Sequence, residues 1–120
     1  MKKRILVVDD DEQILRTFMA ILEKAGYLVD TANTVADAEK KLRQNRYDVA
    51  LIDIKLPDAE GTELLLTVPK GSDMVKIIVT GYSTVEYGEK SADYGADEFL
   101  VKPVKPKELL EVINRLTNEE

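Results

Sequence analysis

The stretch Ile5–Gln13, ILVVDDDEQ, decides the fold, because four consecutive apolar residues lead directly into four consecutive carboxylates. A run of like charges repels itself and normally lies in a solvated turn. Here the run follows an apolar, β-branched segment of the kind that forms a buried strand. Taken alone, Asp9–Glu12 is more simply explained as the exit of a strand followed by a helix N-terminus, which attracts acidic side chains.

Apolar runs recur along the chain at a regular spacing, and each is followed by a segment long enough for a helix. The predicted strands are Arg4–Val8, Leu28–Ala32, Val49–Ile52, Lys76–Thr80 and Phe99–Val101. Runs such as VALI are apolar on both faces, which is typical of parallel strands covered by helices on both sides. The pattern predicts an α/β fold, a doubly wound five-stranded parallel sheet, in a single domain over residues 1–120.

The first and last helices are the most clearly predicted. One starts after Asp11 and Glu12 and ends near Gly26, and the other has Pro106 in its first turn. Their inward faces consist of apolar residues at helical spacing: Ile14, Phe18, Ile21, Leu22 and Ala25 in the first helix, and Leu109, Val112, Ile113 and Leu116 in the last.

Three further helices lie between these two. One is predicted to start near Asn33 or Thr34, and another runs from about Thr62 until Pro69 stops it. The segment at residues 83–97, STVEYGEKSADYGAD, is the weakest helix because Gly88 interrupts it and its inward face is mostly small. We therefore expect this helix to be the least firmly packed.

Composition excludes several classes of protein and site. The chain has no cysteine and no histidine, so disulfides, thiolate or imidazole metal sites and histidine bases are excluded. The net charge of −6 argues against direct binding of nucleic acid. No apolar run approaches the length of about 18 residues that a membrane span needs, and no secretion signal is evident. We expect a cytoplasmic protein.

A second carboxylate, Asp53, ends the third apolar run in VALIDIKLPDAEG. If the first and third strands are neighbours, Asp9, Asp10 and Asp53 converge at one edge of the sheet. Carboxylates so close repel by about 4 kcal/mol per pair near a protein surface, so we expect a cation and, without it, at least one pKa raised by repulsion. A ligand set made only of oxygen atoms predicts Mg²⁺. A calcium site of the EF-hand kind is unfavourable, because Ile14 lies where that loop needs glycine.

The motifs ILVVDDDE, DIKLPDAEG, IIVTGYS and LVKPV, taken together, resemble those of response-regulator receiver domains, the phosphoryl-accepting half of two-component signalling. The resemblance covers the whole chain. It implies a flavodoxin-like (CheY-like) sheet with strand order 2-1-3-4-5. Individually, residues such as Thr80, Phe99 and Lys102 are better explained as ordinary structural residues, and it is the ordered set of motifs that reverses this judgement.

The resemblance implies a role for each matching position. Asp53 would accept a phosphoryl group from a phosphohistidine of a sensor histidine kinase or phosphotransfer protein. Asp9, Asp10, Asp53 and the backbone carbonyl of Lys55 would bind Mg²⁺, with Mn²⁺ as an alternative. Lys102 and Thr80 would contact the phosphoryl group as the catalytic partners of Asp53.

Further positions tune and transmit this chemistry in the family. Thr80 and Phe99 would form the switch, and Lys55 and Tyr82 would set the lifetime of the phosphorylated state. The Lys102–Pro103 peptide bond is expected to be cis. The resemblance assigns the output surface to the fourth helix, the fifth strand and the fifth helix, which would control an effector protein or a fused output domain, with a phosphorylation-dependent homodimer as one route. Asp58 and Asp73 are interpreted as ordinary loop residues.

Two alternatives from other functional classes remain. A Mg²⁺-dependent phosphohydrolase would also use an aspartyl nucleophile, but it needs a second Asp two residues later, where this chain has Lys55. A receiver-like binding module that is never phosphorylated would be expected to lack Asp10, Asp53 or Lys102, and all three are present. The sequence therefore favours a regulatory phosphoacceptor over an enzyme.

Overall fold

Strands and helices alternate along the part of the chain that the computed structural model describes, residues 2–69 and 71–117. The elements are β1 Arg4–Val8, α1 Glu12–Lys24, β2 Leu28–Ala32, α2 Val35–Gln44, β3 Val49–Ile52, α3 Thr62–Thr67, β4 Val75–Thr80, α4 Val85–Asp93, β5 Glu98–Val101 and α5 Pro106–Thr117. The predicted alternation is confirmed, and the strands differ from the prediction by one residue at the start of β4 and of β5. None of the helices in these residues is both long enough and apolar enough to cross a membrane.

The five strands form one parallel sheet in the order β2-β1-β3-β4-β5, which confirms the order implied by the resemblance. In the pairing of β1 with β3, Val8 lies opposite Ile52. The next residue of each strand is therefore an aspartate, Asp9 after β1 and Asp53 after β3. Since the chain leaves β1 for β2 on one side and enters β3 on the other, a crevice opens at this point beyond the strand ends.

Both faces of the central strands β1, β3 and β4 are buried, as the continuous apolar runs predicted. Ile5 and Val7 of β1 face a core cluster that includes residues of α1 and α5, whereas Leu6 and Val8 face a second cluster with residues of α2 and α3. This alternation places one core on each side of the sheet. The carboxyl ends of the strands are left free for polar side chains.

Helix α1 begins and ends close to the predicted positions. The Asp11 carboxylate caps it by accepting from the Gln13 and Ile14 amides, and Gly26 takes a positive φ of 99° just beyond its end. Its fully buried residues are Leu15, Phe18 and Leu22. The prediction was wrong for Ala25, which is exposed at the C-cap, one residue beyond the end of the helix.

Helix α4 is weakly attached, as predicted. Ser91 is the residue of Val85–Asp93 that is fully buried, and its hydroxyl has no hydrogen-bond partner among the residues that the structure describes. A buried hydroxyl without a partner costs free energy, and Gly88 lowers the helix propensity of the same segment. Tyr87 and Tyr94 are partly buried against the second core. This helix therefore has little intrinsic stability and depends on contacts outside its own segment.

Candidate functional site

Three carboxylates converge at the crevice between β1 and β3, as predicted. Oxygen atoms of Asp9, Asp10 and Asp53 all lie within 4.8 Å of one another. Asp9 and Asp53 are 3% and 6% exposed, whereas Asp10 is exposed. The three carboxylates offer only oxygen ligands, two from buried side chains and one from an exposed side chain. Such a set of ligands fits a divalent cation such as Mg²⁺.

Lys102 brings a positive charge into this cluster from the end of β5. Its Nζ atom lies 2.6 Å from Asp9 Oδ2 and 2.8 Å from Asp53 Oδ2. Its backbone amide donates to the Thr80 carbonyl at 2.9 Å, and its peptide bond to Pro103 is cis, as the resemblance implied. Burial acts to lower the pKa of Lys102, but the hydrogen bonds to Asp53 and Asp9 outweigh it and raise this pKa above its usual value.

The pKa of Asp9 is raised, and burial is the main cause. Hydrogen bonds from Lys102 and from the Asp11 amide lower it in part, and repulsion by Asp53 is the smallest contribution. The prediction of a raised pKa was right, but repulsion was the wrong main cause. Since the folded state binds this proton more tightly, ionising Asp9 destabilises the fold as the pH rises from the usual carboxyl range through the raised pKa. A bound cation would offset that cost.

The loop after Asp53 folds back closely on the acceptor segment. Asp53 Oδ1 accepts from the Ile54 amide at 2.7 Å, and the Gly61 amide donates to the Ile54 carbonyl at 2.7 Å. Lys55 and Glu60 form an isolated antiparallel β-bridge across this loop. A Cβ atom at position 61 would lie 1.8 Å from the Asp53 carbonyl oxygen, so this position requires glycine.

The predicted switch residues lie on neighbouring strands. Thr80 ends β4 and is fully buried, and its Oγ1 accepts from the Tyr82 amide at 3.3 Å. Phe99 of β5 pairs with Ile78 of β4 and is partly buried against the second core. Thr80 and Phe99 thus lie on adjacent strands, and Phe99 belongs to the same apolar cluster as Tyr87 of α4.

Lys55 and Tyr82 flank the mouth of the site. The Lys55 ammonium lies 5.1 Å from the centre of the Tyr82 ring and 5.5 Å from that of Tyr87, within cation–π range of both. Tyr82 is half exposed. The two side chains named from the resemblance are therefore in contact, and Tyr87 of α4 joins them.

Sequence interpretation missed two carboxylates in the loop between β3 and α3. Asp58 lies in the loop as predicted, but it does have a role, since it accepts from the Val35 and Ala36 amides at 2.9 and 3.0 Å and so caps α2. Glu60 accepts from the Tyr87 hydroxyl at 3.1 Å and from Lys90 Nζ at 2.8 Å, both on α4. Their partners lie more than 20 residues away in the sequence, where no local pattern points to them.

Comparison with known proteins gives a consistent result. The family model described as "Response regulator receiver domain" matches residues 5–114. The alginate biosynthesis transcriptional regulatory protein AlgB of Pseudomonas putida is 37% identical over 107 residues, which are 88% of this chain and 24% of that protein. The regulatory protein VanRB of Enterococcus faecalis is 34% identical over 97% of this chain and 53% of its own length. The chain thus spans about a quarter and about half of these two relatives.

Solved structures agree with this match. A response regulator receiver domain protein (CheY-like) from Methanospirillum hungatei superposes with a TM-score of 0.95 at 46% identity, covering 99% of this chain and 96% of that one. The beryllofluoride-activated receiver domain dimer of NtrC4 superposes with a TM-score of 0.89 at 38% identity, covering 97% of each chain.

Proposed function

Because this chain belongs to the response-regulator receiver domain family, we propose that it is a phosphoryl-accepting switch in which Asp53 is the acceptor. The observation that carries this proposal is the position of the Asp53 carboxylate, which lies 2.8 Å from the Lys102 ammonium and beside the Asp9 and Asp10 carboxylates. An anion next to a fixed cation and a potential metal site is suited to receive a group that itself carries negative charge.

The reaction is transfer of a phosphoryl group from a phosphohistidine of a sensor histidine kinase or phosphotransfer protein. An oxygen of Asp53 attacks the phosphorus, and the phosphorus–nitrogen bond breaks as the new phosphorus–oxygen bond forms, which leaves an aspartyl phosphate and a free imidazole. Asp9, Asp10, Asp53 and the Lys55 carbonyl would hold Mg²⁺ or Mn²⁺. When bound there, the ion would supply positive charge to offset the negative charge on the oxygens of the transferred group. The chain therefore acts on itself and has no turnover of a separate substrate.

Lys102 and Thr80 contact the transferred group in this proposal. The Lys102 ammonium is a compact point charge that can remain close to Asp53 while it pairs with a phosphoryl oxygen. The Thr80 hydroxyl can donate to the same group, because its present bond to the Tyr82 amide uses the oxygen as an acceptor. Movement of Thr80 would leave room for the Phe99 ring, and this pair is the proposed switch.

The output surface is proposed to consist of α4, β5 and α5. Val85 of α4 and Val101 of β5 expose 77% and 48% of their surface there. Since AlgB is a transcriptional regulatory protein about four times as long as the matched region, we propose that the output resides in a partner or in a fused domain. The net charge of −6 argues that nucleic acid is not bound by this domain. The NtrC4 receiver domain dimer supports a phosphorylation-dependent homodimer.

The proposed function is tested by phosphorylation with a small phosphodonor. With Mg²⁺ and acetyl phosphate, the intact mass is expected to increase by one phosphoryl group, and an excess of EDTA is expected to prevent it. Labelling that is equally fast in EDTA would exclude the metal-assisted reaction.

Replacing Tyr82 by alanine is expected to shorten the lifetime of the phosphorylated state by about threefold to tenfold, equivalent to about 1 kcal/mol in the barrier. The Tyr82 ring and the Lys55 side chain against it would hinder the in-line approach of the attacking water. Loss of the phosphoryl group after removal of the donor, followed by intact mass, measures this lifetime. Tyr82→Phe keeps the ring and should retain the wild-type lifetime. An unchanged or longer lifetime in Tyr82→Ala would contradict this role.

A further inference from the structure

The loop between Asp53 and Gly61 is tied to two different helices. The Asp58 carboxylate binds the N-terminal amides of α2, and the Glu60 carboxylate binds two side chains of α4. We propose that Glu60 is a positioning residue that links the carboxylate site to α4, so that occupation of the site and the placement of α4 affect each other. This inference rests on the proposed function for the metal site, and it adds the residue that transmits its occupation.

On the helix side, Glu60 makes the polar contacts that fix the face of α4 turned toward the loop. Tyr87 and Lys90 are three residues apart and therefore share one face of the helix. Glu60 Oε2 accepts from the Tyr87 hydroxyl and Oε1 from the Lys90 ammonium. Since Ser91 is the buried residue of α4 and Gly88 weakens the helix, these contacts are a substantial part of what holds α4 in place.

On the site side, the backbone of Glu60 is joined to the residues next to the acceptor. Glu60 forms the antiparallel bridge with Lys55, whose carbonyl is a proposed metal ligand. The next residue, Gly61, donates to Ile54 and leaves no room for a side chain against Asp53. A change in the position of Lys55 or Asp53 therefore shifts Glu60, and with it the anchor point of α4.

The contact of Asp58 with α2 holds one side of the loop in place, so that a shift of the loop affects mainly its other side, toward α4. Asp58 accepts from two backbone amides, an arrangement that lowers its pKa and keeps it ionised and bound. The hydrogen bond from Lys90 likewise lowers the pKa of Glu60 and keeps that carboxylate charged at neutral pH. With the loop held against α2 on one side, movement at the site is passed to α4 on the other. By linkage, the factor by which occupation of the site shifts the equilibrium between two positions of α4 equals the ratio of the site's ligand affinities in those two positions.

The test uses Mg²⁺ with beryllofluoride as the probe and amide resonances as the readout. In the wild type, resonances of Asp10 and Lys102 report occupation of the site, and those of Gly88 and Ser91 report the response of α4. In Glu60→Gln, which keeps the size and one acceptor oxygen but removes the charge, the shifts at Gly88 and Ser91 should fall about fivefold or more. The shifts at Asp10 and Lys102 should persist, which also shows that the variant is folded.

Three companion variants separate linkage from a general effect on stability. Lys90→Gln should weaken the response of α4 as Glu60→Gln does, whereas Glu89→Gln, at an exposed position on the same helix, should behave like the wild type. The exchanged pair Glu60→Lys with Lys90→Glu should recover part of the response, because the ion pair is restored with reversed polarity, whereas a lysine at position 60 cannot accept from the Tyr87 hydroxyl.

The outcomes distinguish two failures. If α4 responds at full size in both Glu60→Gln and Lys90→Gln, or if the exchanged pair recovers none of the response, Glu60 is not the link. If the wild type shows no shifts at Asp10 and Lys102, the proposed metal and phosphoryl site is itself wrong, and this inference is overturned with it.

Discussion

Replacing Lys102 by alanine is expected to lower the free energy of unfolding by about 2 kcal/mol in the absence of divalent cations, and to tighten Mg²⁺ binding about tenfold. The Lys102 ammonium is within 2.8 Å of both the Asp9 and Asp53 carboxylates, and it is the cation that offsets their burial. Its removal leaves two buried anions uncompensated. The loss should be smaller than for a fully buried pair, because a fifth of the Lys102 side chain is exposed.

Mg²⁺ should bind more tightly to this variant because Lys102 no longer competes for the carboxylate oxygens. Urea denaturation in EDTA and in saturating Mg²⁺ measures both effects, since the ion should restore much of the lost stability. Lys105→Ala, which removes an exposed lysine three residues away, is the matched control and should change neither quantity. Unchanged stability and unchanged Mg²⁺ affinity in Lys102→Ala would show that Lys102 does not neutralise the site.

Replacing Gly61 by alanine is expected to destabilise the fold by about 3 kcal/mol and to slow phosphorylation about a hundredfold. The added Cβ would lie 1.8 Å from the Asp53 carbonyl oxygen and 2.8 Å from Ile52 Cγ2. Since the closest atom belongs to the backbone, no change of side-chain rotamer can relieve the overlap. The segment that carries the acceptor carboxylate must move, and a displacement on the order of 1 Å is enough to disrupt in-line attack.

Gly88→Ala is a control with the same chemical change. Nothing lies within 4 Å of a Cβ at position 88, and this residue is inside helix α4. Alanine there should stabilise the helix by up to about 1 kcal/mol. Denaturation should therefore show Gly61→Ala to be less stable, and Gly88→Ala more stable, than the wild type. The rate of labelling by acetyl phosphate should fall in Gly61→Ala. Wild-type stability and labelling rate in Gly61→Ala would contradict the close packing of this loop.

Much of the fold and the carboxylate cluster could be predicted because they depend on local pattern and on topology. A strand that is apolar on both faces must lie inside a covered parallel sheet, so its carboxyl end and the following Asp9 or Asp53 have a defined place. The strand order came from the resemblance, and neighbouring β1 and β3 then required the carboxylates to meet. The weakness of α4 followed from Gly88 and the lack of large apolar residues.

What the sequence did not predict depends on contacts between distant elements. Glu60 meets Tyr87 and Lys90 across 27 and 30 residues, and neither spacing has a periodic signature. The cause of the raised pKa of Asp9 was misjudged because its burial is set by the surrounding elements and cannot be read from charge spacing. The exposure of Ala25 depended on where α1 ends, which a helical pattern defines only to within a residue or two.

The central claim, that Asp53 is the phosphoryl acceptor, is tested most directly by the intact mass of wild type and Asp53→Asn after incubation with Mg²⁺ and acetyl phosphate. Asp53→Asn removes the nucleophilic oxygen while preserving the size of the side chain, and Asp58→Asn, in the same loop, serves as the control. The wild type and Asp58→Asn are expected to gain one phosphoryl group, and Asp53→Asn is expected to gain none. Full labelling of Asp53→Asn would contradict the account.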